Sequence, residues 1–471
     1  PGEFVKAVLK QNGDVVAESP VVSERMRAKH YAMSLTVAGW SGAALSGFPV
    51  PVRISEAAMP GFLYTDAVDA AHIAFSADDA GTTQYPFEVE TWDPSGESIF
   101  WVKIPEFNRD TRISMCWGKV IGGEVPQNVP TQTWSDYVGV WHMNGGSGNE
   151  KDATGHGLNG TPKGSKTTEM TSDANAPVGL GRVNQTTAGK YNRLSVPNYN
   201  DYIANQSAFT VSGWFKSTDA TGYPRPMSRK NGYNESTGWE IQYNNGSKTQ
   251  CDMRGSSDKQ VTMDGPDVTA DWVYLTYVFD GTNGTAYANG EQKKSGTIAA
   301  VVSRTDPMAI GNNANGSEQG WCGSYDEVRM YNGALQADWI WADYEQMKGD
   351  GFGSFDIASK DKRATFENYW RVEPSLTPTV WDADGTGGGV SPGQPAAGTP
   401  EVTYRNCASG EALPGMPIAA GVYEVVFRVS GVEGYTDLEK VIQFRIAKHS
   451  PYNDADGAAE RFFRQGADVV T

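Results

Sequence analysis

Turn-forming dipeptides are the feature of this sequence that most restricts its fold. In the middle of the chain, Asn-Gly or Asp-Gly pairs occupy positions 231–232, 245–246, 280–281, 289–290 and 315–316. Such pairs readily adopt the positive φ angles that two-residue β-hairpin turns require. The stretches between them alternate with the period of a β-strand, as in WVYLTYVFD, where Val273, Leu275, Tyr277 and Phe279 are predicted to share one face. The pattern predicts an all-β protein.

Composition and charge restrict the function. The chain has 471 residues, more than one hydrophobic core usually organises, so several domains are expected. Its 54 glycines and 25 prolines favour short strands and tight turns. The formal net charge of -17 repels phosphate groups, so nucleic acid is not expected as a partner. No run of about 18 apolar residues occurs, so no membrane insertion is expected for this segment.

Changes in pattern along the chain predict its domain organisation. An extended pair of segments surrounds Asn12-Gly13, and only 334–347 within the central region has a helical pattern. The predicted segments are 1–27, a terminal hairpin of a preceding module or a linker; 28–128, a β-sandwich domain; 131–349, a larger β domain; 355–450, a small β-sandwich; and 451–471, a linker.

The central segment carries the most specific resemblance. In order, it contains YVGVWHMNG, DATGHGLNGT, FTVSGWFKS, WVYLTYVFDGTNGTAYANGEQ and GSYDEVRMYNGAL. This set resembles LamG-like domains, and the resemblance implies a concanavalin A-like jelly-roll sandwich at the centre of the chain. One departure is Asn144, where that family usually has an acidic residue after the strand that ends in WHM.

The flanking segments resemble other modules of bacterial surface proteins. FPVPVRI, AHIAFSADDAG, YPFEVETWDPSGESIFWVKIPEF and TRISMCWG are similar to a domain of unknown function that often precedes LamG-like modules. GVYEVVFRVSGVEGYTDLEKVIQFRI is similar to bacterial immunoglobulin-like domains. These resemblances imply smaller β-sandwich domains beside the jelly roll and an extracellular or cell-surface location. They also raise the hypothesis that the chain is one unit of a repeating array.

No catalytic motif emerges from the sequence. Glucanases with the jelly-roll fold carry Glu-x-Asp-x-x-Glu, which places two carboxylates in one cleft. The only Glu-x-Asp here is Glu150-Lys151-Asp152, and Gly155 occupies the position of the second glutamate. The histidines, His142 and His156 among them, lack a third nitrogen or thiolate ligand and a nucleophile motif, so structural or surface roles are predicted for them. We therefore expect no enzyme, with a cryptic glycosidase as the remaining alternative.

Calcium is the cofactor that the resemblance suggests. Asp152 in DATGHG and Asp326 in YDEV occupy places where related jelly rolls often carry an ion-linked or turn-organising acidic residue. Carboxylate oxygens suit this hard cation. The alternative is that Asp152 organises an Asx turn and Asp326 packs at a strand edge.

Aromatic residues in loops are the candidates for sugar binding, because flat rings stack on the C–H faces of pyranoses. Tyr223, Tyr233 and Trp321 lie among Gly, Asn and Ser residues and are predicted to bind a ligand. For Trp321, core packing is the alternative, since a strand begins almost at once after it.

Two hypotheses about function follow. The chain is predicted to be a noncatalytic protein for adhesion or carbohydrate recognition, with a glycan or a neighbouring surface protein as its partner. Alternatively, it is a structural subunit of a stalk, fibre or lattice that self-assembles.

The four cysteines predict neither a zinc site nor a disulfide framework, although a bond between Cys251 and Cys322 stays open.

Overall fold

Strands dominate the chain, which confirms the predicted all-β, multidomain fold. The computed structural model describes residues 4–5, 8–11, 14–18, 22–23, 29–38, 40–120, 128–184, 192–203, 208–219, 222–232, 235, 237–244, 248–252, 260–264, 267–298, 304–316, 320–348, 356–377, 380–381 and 389–447.

The strands fall into three groups along the chain. The first group is β1 Phe4–Val5, β2 Val8–Gln11, β3 Asp14–Glu18, β4 Val22–Ser23, β5 Lys29–Ala38, β6 Leu45–Ile54, β7 Ile73–Ser76, β8 Phe87–Thr91, β9 Ser98–Phe107 and β10 Arg112–Gly118. The second group is β11 Tyr137–Trp141, β12 Thr161–Lys163, β13 Thr171–Asp173, β14 Gly181–Val183, β15 Arg193–Val196, β16 Phe209–Asp219, β17 Met227–Ser228, β18 Glu240–Asn244, β19 Lys248–Asp252, β20 Gln260–Asp264, β21 Val273–Phe279, β22 Asn283–Ala288, β23 Glu291–Thr297, β24 Met308–Ile310 and β25 Cys322–Tyr331. The third group is β26 Asp356–Phe366, β27 Trp370–Val372, β28 Ser375–Thr377, β29 Val380–Trp381, β30 Gly389–Ser391, β31 Gln394–Pro395, β32 Glu401–Asn406, β33 Ala412–Leu413, β34 Gly421–Val429 and β35 Leu438–Ile446.

Helices are few and short. The α-helices are α1 Tyr64–Ala67, α2 Pro130–Thr133 and α3 Ala337–Lys348, and single 3-10 turns occur at Ala70–His72, Thr167–Glu169 and Asn200–Tyr202. The helix predicted within the central region is confirmed as α3, three residues later at its start and one later at its end. No helix among the described residues has the length and apolar character needed to cross a lipid bilayer.

The central region is a sandwich of two sheets. One sheet has the order β13-β14-β25-β16-β21-β22-β23, with β11 paired to β25, and the other has the order β12-β15-β24-β17-β18-β19-β20. Val273, Leu275, Tyr277 and Phe279 of β21 all face the core between the sheets, as their alternation predicted. The predicted turn at Asn289-Gly290 is also confirmed, because both residues have positive φ, 52° and 78°, between β22 and β23.

Two smaller sheets, formed by strands that precede the jelly roll and by β26, which follows it, pack face to face. Strands β6, β9 and β8 form one sheet, and β26, β5, β10 and β7 form the other. The ring of Phe75 on β7 lies 5.5 Å from that of Phe87 on β8 and 5.3 Å from that of Phe100 on β9. Aromatic contacts at these distances fill the interior between the two sheets.

The outer face of the β6-β9-β8 sheet is buried as well. Ile99 and Trp101 of β9 join a core cluster with Trp134, Trp214 and Tyr274, which come from the central region. Since successive strand residues point to opposite faces, β9 contributes to two hydrophobic cores at once. Residues 33–362 consequently form one compact unit.

The other compact unit consists of residues 1–32 and 363–471. Its largest described sheet has the order β29-β35-β34-β32-β33. Within it, Tyr423 of β34 pairs with Phe444 of β35, and Val425 pairs with Ile442. The alternating residues of the two strands thus meet on one face and form a core cluster. Residues 448–471, which include the predicted linker, lie outside the described part.

Candidate functional site

A group of charged side chains lies buried where β9 and β8 meet the jelly roll. Its members, called the junction cluster below, are Glu88 and Glu90 of β8, His142 just after β11, Asp326, Glu327 and Arg329 of β25, and Asp343 of α3. Their side chains are almost completely shielded from solvent. Those that form ion pairs have exposed fractions of 0 to 8%. Charged groups rarely reach such positions unless they are paired.

Strand geometry brings the glutamates of β8 to the junction. Glu88 pairs across the sheet with Trp101, and Val89 pairs with Phe100. Phe87 and Phe100 fill the interior of the smaller sandwich, so Glu88 and Trp101 face the jelly roll instead. The register then shifts between Val89 and Thr91, which leaves Glu90 as an extra residue on β8. This is a β-bulge, a distortion that redirects side chains.

A second bulge shapes the opposite wall. Ser212 of β16 pairs with Arg329, but Trp214 pairs with Asp326, so β25 has one residue more than its partner. Glu327 lies at this bulge and has a φ of 46°, which is uncommon outside glycine. The bulge explains how the neighbouring side chains of Asp326 and Glu327 are both fully buried.

His142 lies at the centre of the junction cluster. Its Nδ1 is 2.6 Å from Oε1 of Glu327 and 3.9 Å from Oε2 of Glu90, and its Nε2 is 3.0 Å from Oε2 of Glu88. The indole N–H of Trp134 donates to the same oxygen of Glu88. Burial alone would lower the pKa of His142, but Glu327 and Glu88 raise it well above its ordinary value. The imidazole therefore lies between two carboxylates that favour its charged form.

Arg329 connects the cluster to α3. It donates to Oε2 of Glu327 from Nη2 at 2.6 Å and to Oδ1 of Asp343 from Nη1 at 2.9 Å. The hydroxyl of Tyr274 donates to the other oxygen of Asp343 at 2.6 Å. Burial raises the pKa of Glu327, but His142 and Arg329 outweigh it and lower that pKa below its ordinary value.

Two carboxyl groups of the cluster are incompletely satisfied. Oε2 of Glu90 accepts a hydrogen bond from the indole N–H of Trp101 at 2.6 Å, and Oδ2 of Asp326 accepts one from the N–H of Val178 at 2.8 Å. Oε1 of Glu90 and Oδ1 of Asp326 are buried without a hydrogen-bond partner among the described residues. Burial, followed by repulsion from Glu327, raises the pKa of Glu90 to about 7 and that of Asp326 well above its ordinary value.

Asp152, a predicted calcium ligand, organises a turn. Its Oδ1 accepts hydrogen bonds from the N–H of Thr154 at 3.0 Å and from the Thr154 hydroxyl at 2.7 Å. Its Oδ2 accepts one from the N–H of Leu158 at 3.0 Å. These are the bonds of an Asx-type turn.

Asp326 lies in the interior of β25, between β16 and β14, rather than at a strand edge. Calcium binding by either residue stays a prediction.

The predicted sugar-binding aromatics have different positions. Tyr223 is 42% exposed. Tyr233 lies outside the described residues. Trp321 needs a correction: its indole is fully buried in the jelly-roll core, 5.6 Å from the ring of Tyr243, because the strand β25 begins at the next residue. Gly323 and Ser324, two of the neighbours that suggested exposure, are themselves buried residues of β25. Cys322, the residue that follows Trp321, is also buried.

The junction cluster was not predicted from the sequence. Its one visible signal is the density of charge in YDEVRMY, a segment that is otherwise typical of a strand. Similarly, FEVET has glutamates on alternate positions, a pattern usually read as a solvent-facing side. Nothing in either segment alone indicates that the two would face each other.

Comparison with known proteins supports the fold of the central region. Residues 187–341 match the family model of the concanavalin A-like lectin/glucanases superfamily. No curated protein matches the sequence.

Solved structures give likenesses of the fold alone. Domain 4 of AbnA, a GH43 extracellular arabinanase from Geobacillus stearothermophilus solved in complex with arabinotriose, is 20% identical, with a TM-score of 0.34, over 44% of this chain and 97% of that one. The binding domain of Paraclostridial Mosquitocidal Protein 1 is 13% identical, with a TM-score of 0.36, over 66% and 75%. The CBM40 of the Ruminococcus gnavus IT-sialidase, bound to alpha2,3 sialyllactose, is 16% identical, with a TM-score of 0.26, over 29% and 83%.

Proposed function

We propose that the chain is a noncatalytic extracellular or cell-surface protein that recognises carbohydrate through its LamG-like domain. The observation that carries this proposal is the match of residues 187–341 to a superfamily of lectins and glucanases. In this proposal the segments that flank the jelly roll serve as spacers, and residues 33–128 do so as part of the compact unit that contains the jelly roll.

Tyr223 is the residue that we assign to sugar contact. Its ring is partly exposed, while the backbone around it is held in place. The carbonyl of Tyr223 accepts a hydrogen bond from Arg225 at 3.1 Å, and Arg225 is itself buried in an ion pair of 2.7 Å with Glu240. The carbonyl of Pro224 accepts one from the N–H of Tyr243 at 2.9 Å. A ring on a fixed backbone loses little conformational entropy when a sugar stacks on it.

The state of Glu150 supports the noncatalytic assignment. Its carboxylate lies 2.8 Å from Nη2 of Arg182, and both side chains are almost fully buried. A glycosidase needs two carboxyl groups that reach the scissile bond in a cleft. Glu150 is not available for that role, and Gly155 stands where a second glutamate would be required.

Tyr423 supports the immunoglobulin-like assignment of the 355–450 segment. Its hydroxyl donates to the carbonyl of Ala419, four residues upstream, at 2.9 Å. A hydrogen bond of this kind, from a tyrosine near the start of a strand to the preceding backbone, is typical of immunoglobulin-like sandwiches. Spacer modules of this type suit a displayed binding domain.

A glycan array tests the proposal, with the wild-type chain, Tyr223→Ala and Tyr369→Ala compared in calcium and after chelation. Tyr369 is a matched control, since it is 39% exposed and lies outside the jelly roll. We expect binding to a defined set of glycans that Tyr223→Ala loses and Tyr369→Ala keeps. Ordered self-assembly without glycan binding would support the structural alternative, and polysaccharide cleavage by the pure chain would contradict both. Loss of binding on chelation would support the predicted calcium.

A further inference from the structure

We propose that Glu90, His142 and Glu327 bind a divalent transition-metal ion, with zinc as the best fit, inside the junction cluster. One ligand atom from each of these side chains lies within 4.8 Å of those of the other two. Zinc binds imidazole nitrogen and carboxylate oxygen at about 2.0 to 2.2 Å, so ligand atoms on one ion are at most about 4.4 Å apart. In a tetrahedral site the ligand atoms lie about 3.4 Å apart, so binding requires the side chains to move by up to about 1.4 Å.

Unsatisfied carboxyl oxygens in the junction cluster support a cation site. Oε1 of Glu90 and Oδ1 of Asp326 have no hydrogen-bond partner among the described residues, although both carboxyl groups are fully buried. Buried carboxylate oxygens without a donor are costly, and a bound metal ion is one way to satisfy them. Asp326 precedes Glu327 on β25, but its carboxylate is not among the ligand atoms that lie within 4.8 Å of one another, so it is not assigned as a ligand.

The balance of charge in the cluster favours the same conclusion. It contains five carboxyl groups, those of Glu88, Glu90, Asp326, Glu327 and Asp343. Only two cationic side chains, His142 and Arg329, pair with them among the described residues. A divalent ion in place of the proton shared by His142 and Glu327 would add one positive charge beside these carboxyl groups.

The hydrogen bonds around the three ligands match those of known metal sites. Histidine ligands usually donate their second ring N–H to a carboxylate, and carboxylate ligands are held by further donors. Here Nε2 of His142 faces Glu88, which leaves Nδ1 to face Glu90 and Glu327. Trp101 donates to Glu90, and Arg329 donates to Glu327. Each proposed ligand thus has an outer partner that fixes its orientation.

The two β-bulges are a further indication. Glu90 and Glu327 both lie at an extra residue in their strands, on opposite walls of the cluster. Bulges of this kind occur preferentially next to functional sites, where they re-aim a side chain. The imidazole nitrogen favours zinc or a similar borderline ion over calcium, which prefers oxygen alone. The ion would join β8 to the jelly roll and would act as a structural metal.

Binding requires the three proposed ligands to adjust their positions. Nδ1 of His142 and Oε1 of Glu327 are now 2.6 Å apart, a hydrogen-bond distance. Two ligands of a tetrahedral ion lie about 3.4 Å apart, so the ion separates them and releases the shared proton. Because the cluster is closed to solvent, the ion enters while the chain folds.

The zinc content of the purified chains tests the proposal. The wild-type chain, Glu90→Gln and Glu97→Gln are expressed without an affinity tag in zinc-supplemented medium and analysed by inductively coupled plasma mass spectrometry. Glu90→Gln removes a charged ligand but keeps the shape and an acceptor for Trp101. Glu97, in the same region, pairs with Arg53 at the surface and is the matched control. We expect about one zinc per chain in the wild type and the control, and a loss of at least about tenfold in Glu90→Gln.

Cobalt provides a second readout on the wild-type chain, which does not depend on any variant folding. Chains produced in cobalt medium should show the visible absorption of a nitrogen and oxygen-ligated ion. Zinc well below one per chain in the wild type would overturn the proposal and leave protons as the groups that neutralise the cluster. Equal zinc in Glu90→Gln, verified as folded by circular dichroism, or calcium in place of zinc, would also overturn it.

Discussion

The guanidinium carbon of Arg329 lies 4.3 Å from the centroid of the Trp101 ring. Arg329 belongs to the jelly-roll strand β25, and Trp101 belongs to β9 of the smaller sandwich, so this stacked pair joins the two parts of the compact unit. The same guanidinium forms ion pairs with Glu327 and Asp343. Cation–π contact and paired charges together make the junction a specific interface rather than a generic apolar one.

Replacing Trp101 by alanine should destabilise the unit strongly. Its ring is fully buried in the core shared by β9 and the jelly roll, and a cavity would remain. We expect a loss of about 3 to 5 kcal/mol in the free energy of unfolding, measured by urea denaturation. Trp272→Ala, which removes a partly exposed indole, should lower the free energy of unfolding by clearly less. Equal losses in both variants would contradict the role of Trp101 in the junction.

Arg329→Met should be as damaging, for an electrostatic reason. It leaves Glu327 and Asp343 buried with fewer partners, which costs about 3 to 5 kcal/mol when a buried pair is broken. The surface pair of Lys166 and Glu169 serves for comparison, and Lys166→Met should cost less than about 1 kcal/mol. Thermal and urea unfolding measure both. A small effect of Arg329→Met would show that the carboxyl groups relax by taking up protons.

The hydrogen bonds of Asp78 predict that the folded state loses stability in acid. Burial raises its pKa, but the Thr82 hydroxyl and the N–H groups of Thr82, Thr83 and Ala80 outweigh burial and lower that pKa from 3.8 to about 2. The folded state therefore gains stability from ionised Asp78 above pH 3.8, and this gain disappears as the pH falls towards 2.

Urea unfolding of the wild type and Asp78→Asn at several pH values tests the contribution of ionised Asp78 to stability. The difference in stability between them should be largest near neutral pH and should shrink between pH 4 and pH 2. A difference that stays constant over that range would contradict the assigned hydrogen bonds.

Cysteine reactivity should follow burial. Burial, with Asp79 and Asp78 nearby, raises the pKa of the Cys116 thiol to about 12, and Cys322 is also buried. Cys407 is only partly buried. Iodoacetamide at pH 8 should therefore modify Cys407 in the folded chain, as mapped by peptide mass spectrometry, and leave Cys116 and Cys322 until urea is added. Early modification of Cys116 would indicate that β10 opens readily.

The sequence predicts local structure well here and contacts between distant segments poorly. The alternation of β21 and the Asn289-Gly290 turn are encoded by neighbouring residues, and both are found as predicted. The position of the Glu90 side chain is not encoded by its neighbours in the sequence, because it depends on a bulge and on packing against β25. His142 was expected to have a structural or surface role for lack of nitrogen or sulfur ligands, whereas the fold brings it carboxylates from two other strands.

Affinity electrophoresis tests the central claim most directly. The wild-type chain and Tyr223→Ala are run in native gels that contain soluble polysaccharides, with Tyr369→Ala as the control. Carbohydrate recognition through the jelly roll predicts that at least one polysaccharide retards the wild type and the control, and that Tyr223→Ala weakens this binding by about tenfold, the contribution of one stacked ring. Equal migration of all three chains in every gel, or equal retardation of Tyr223→Ala, would contradict the claim.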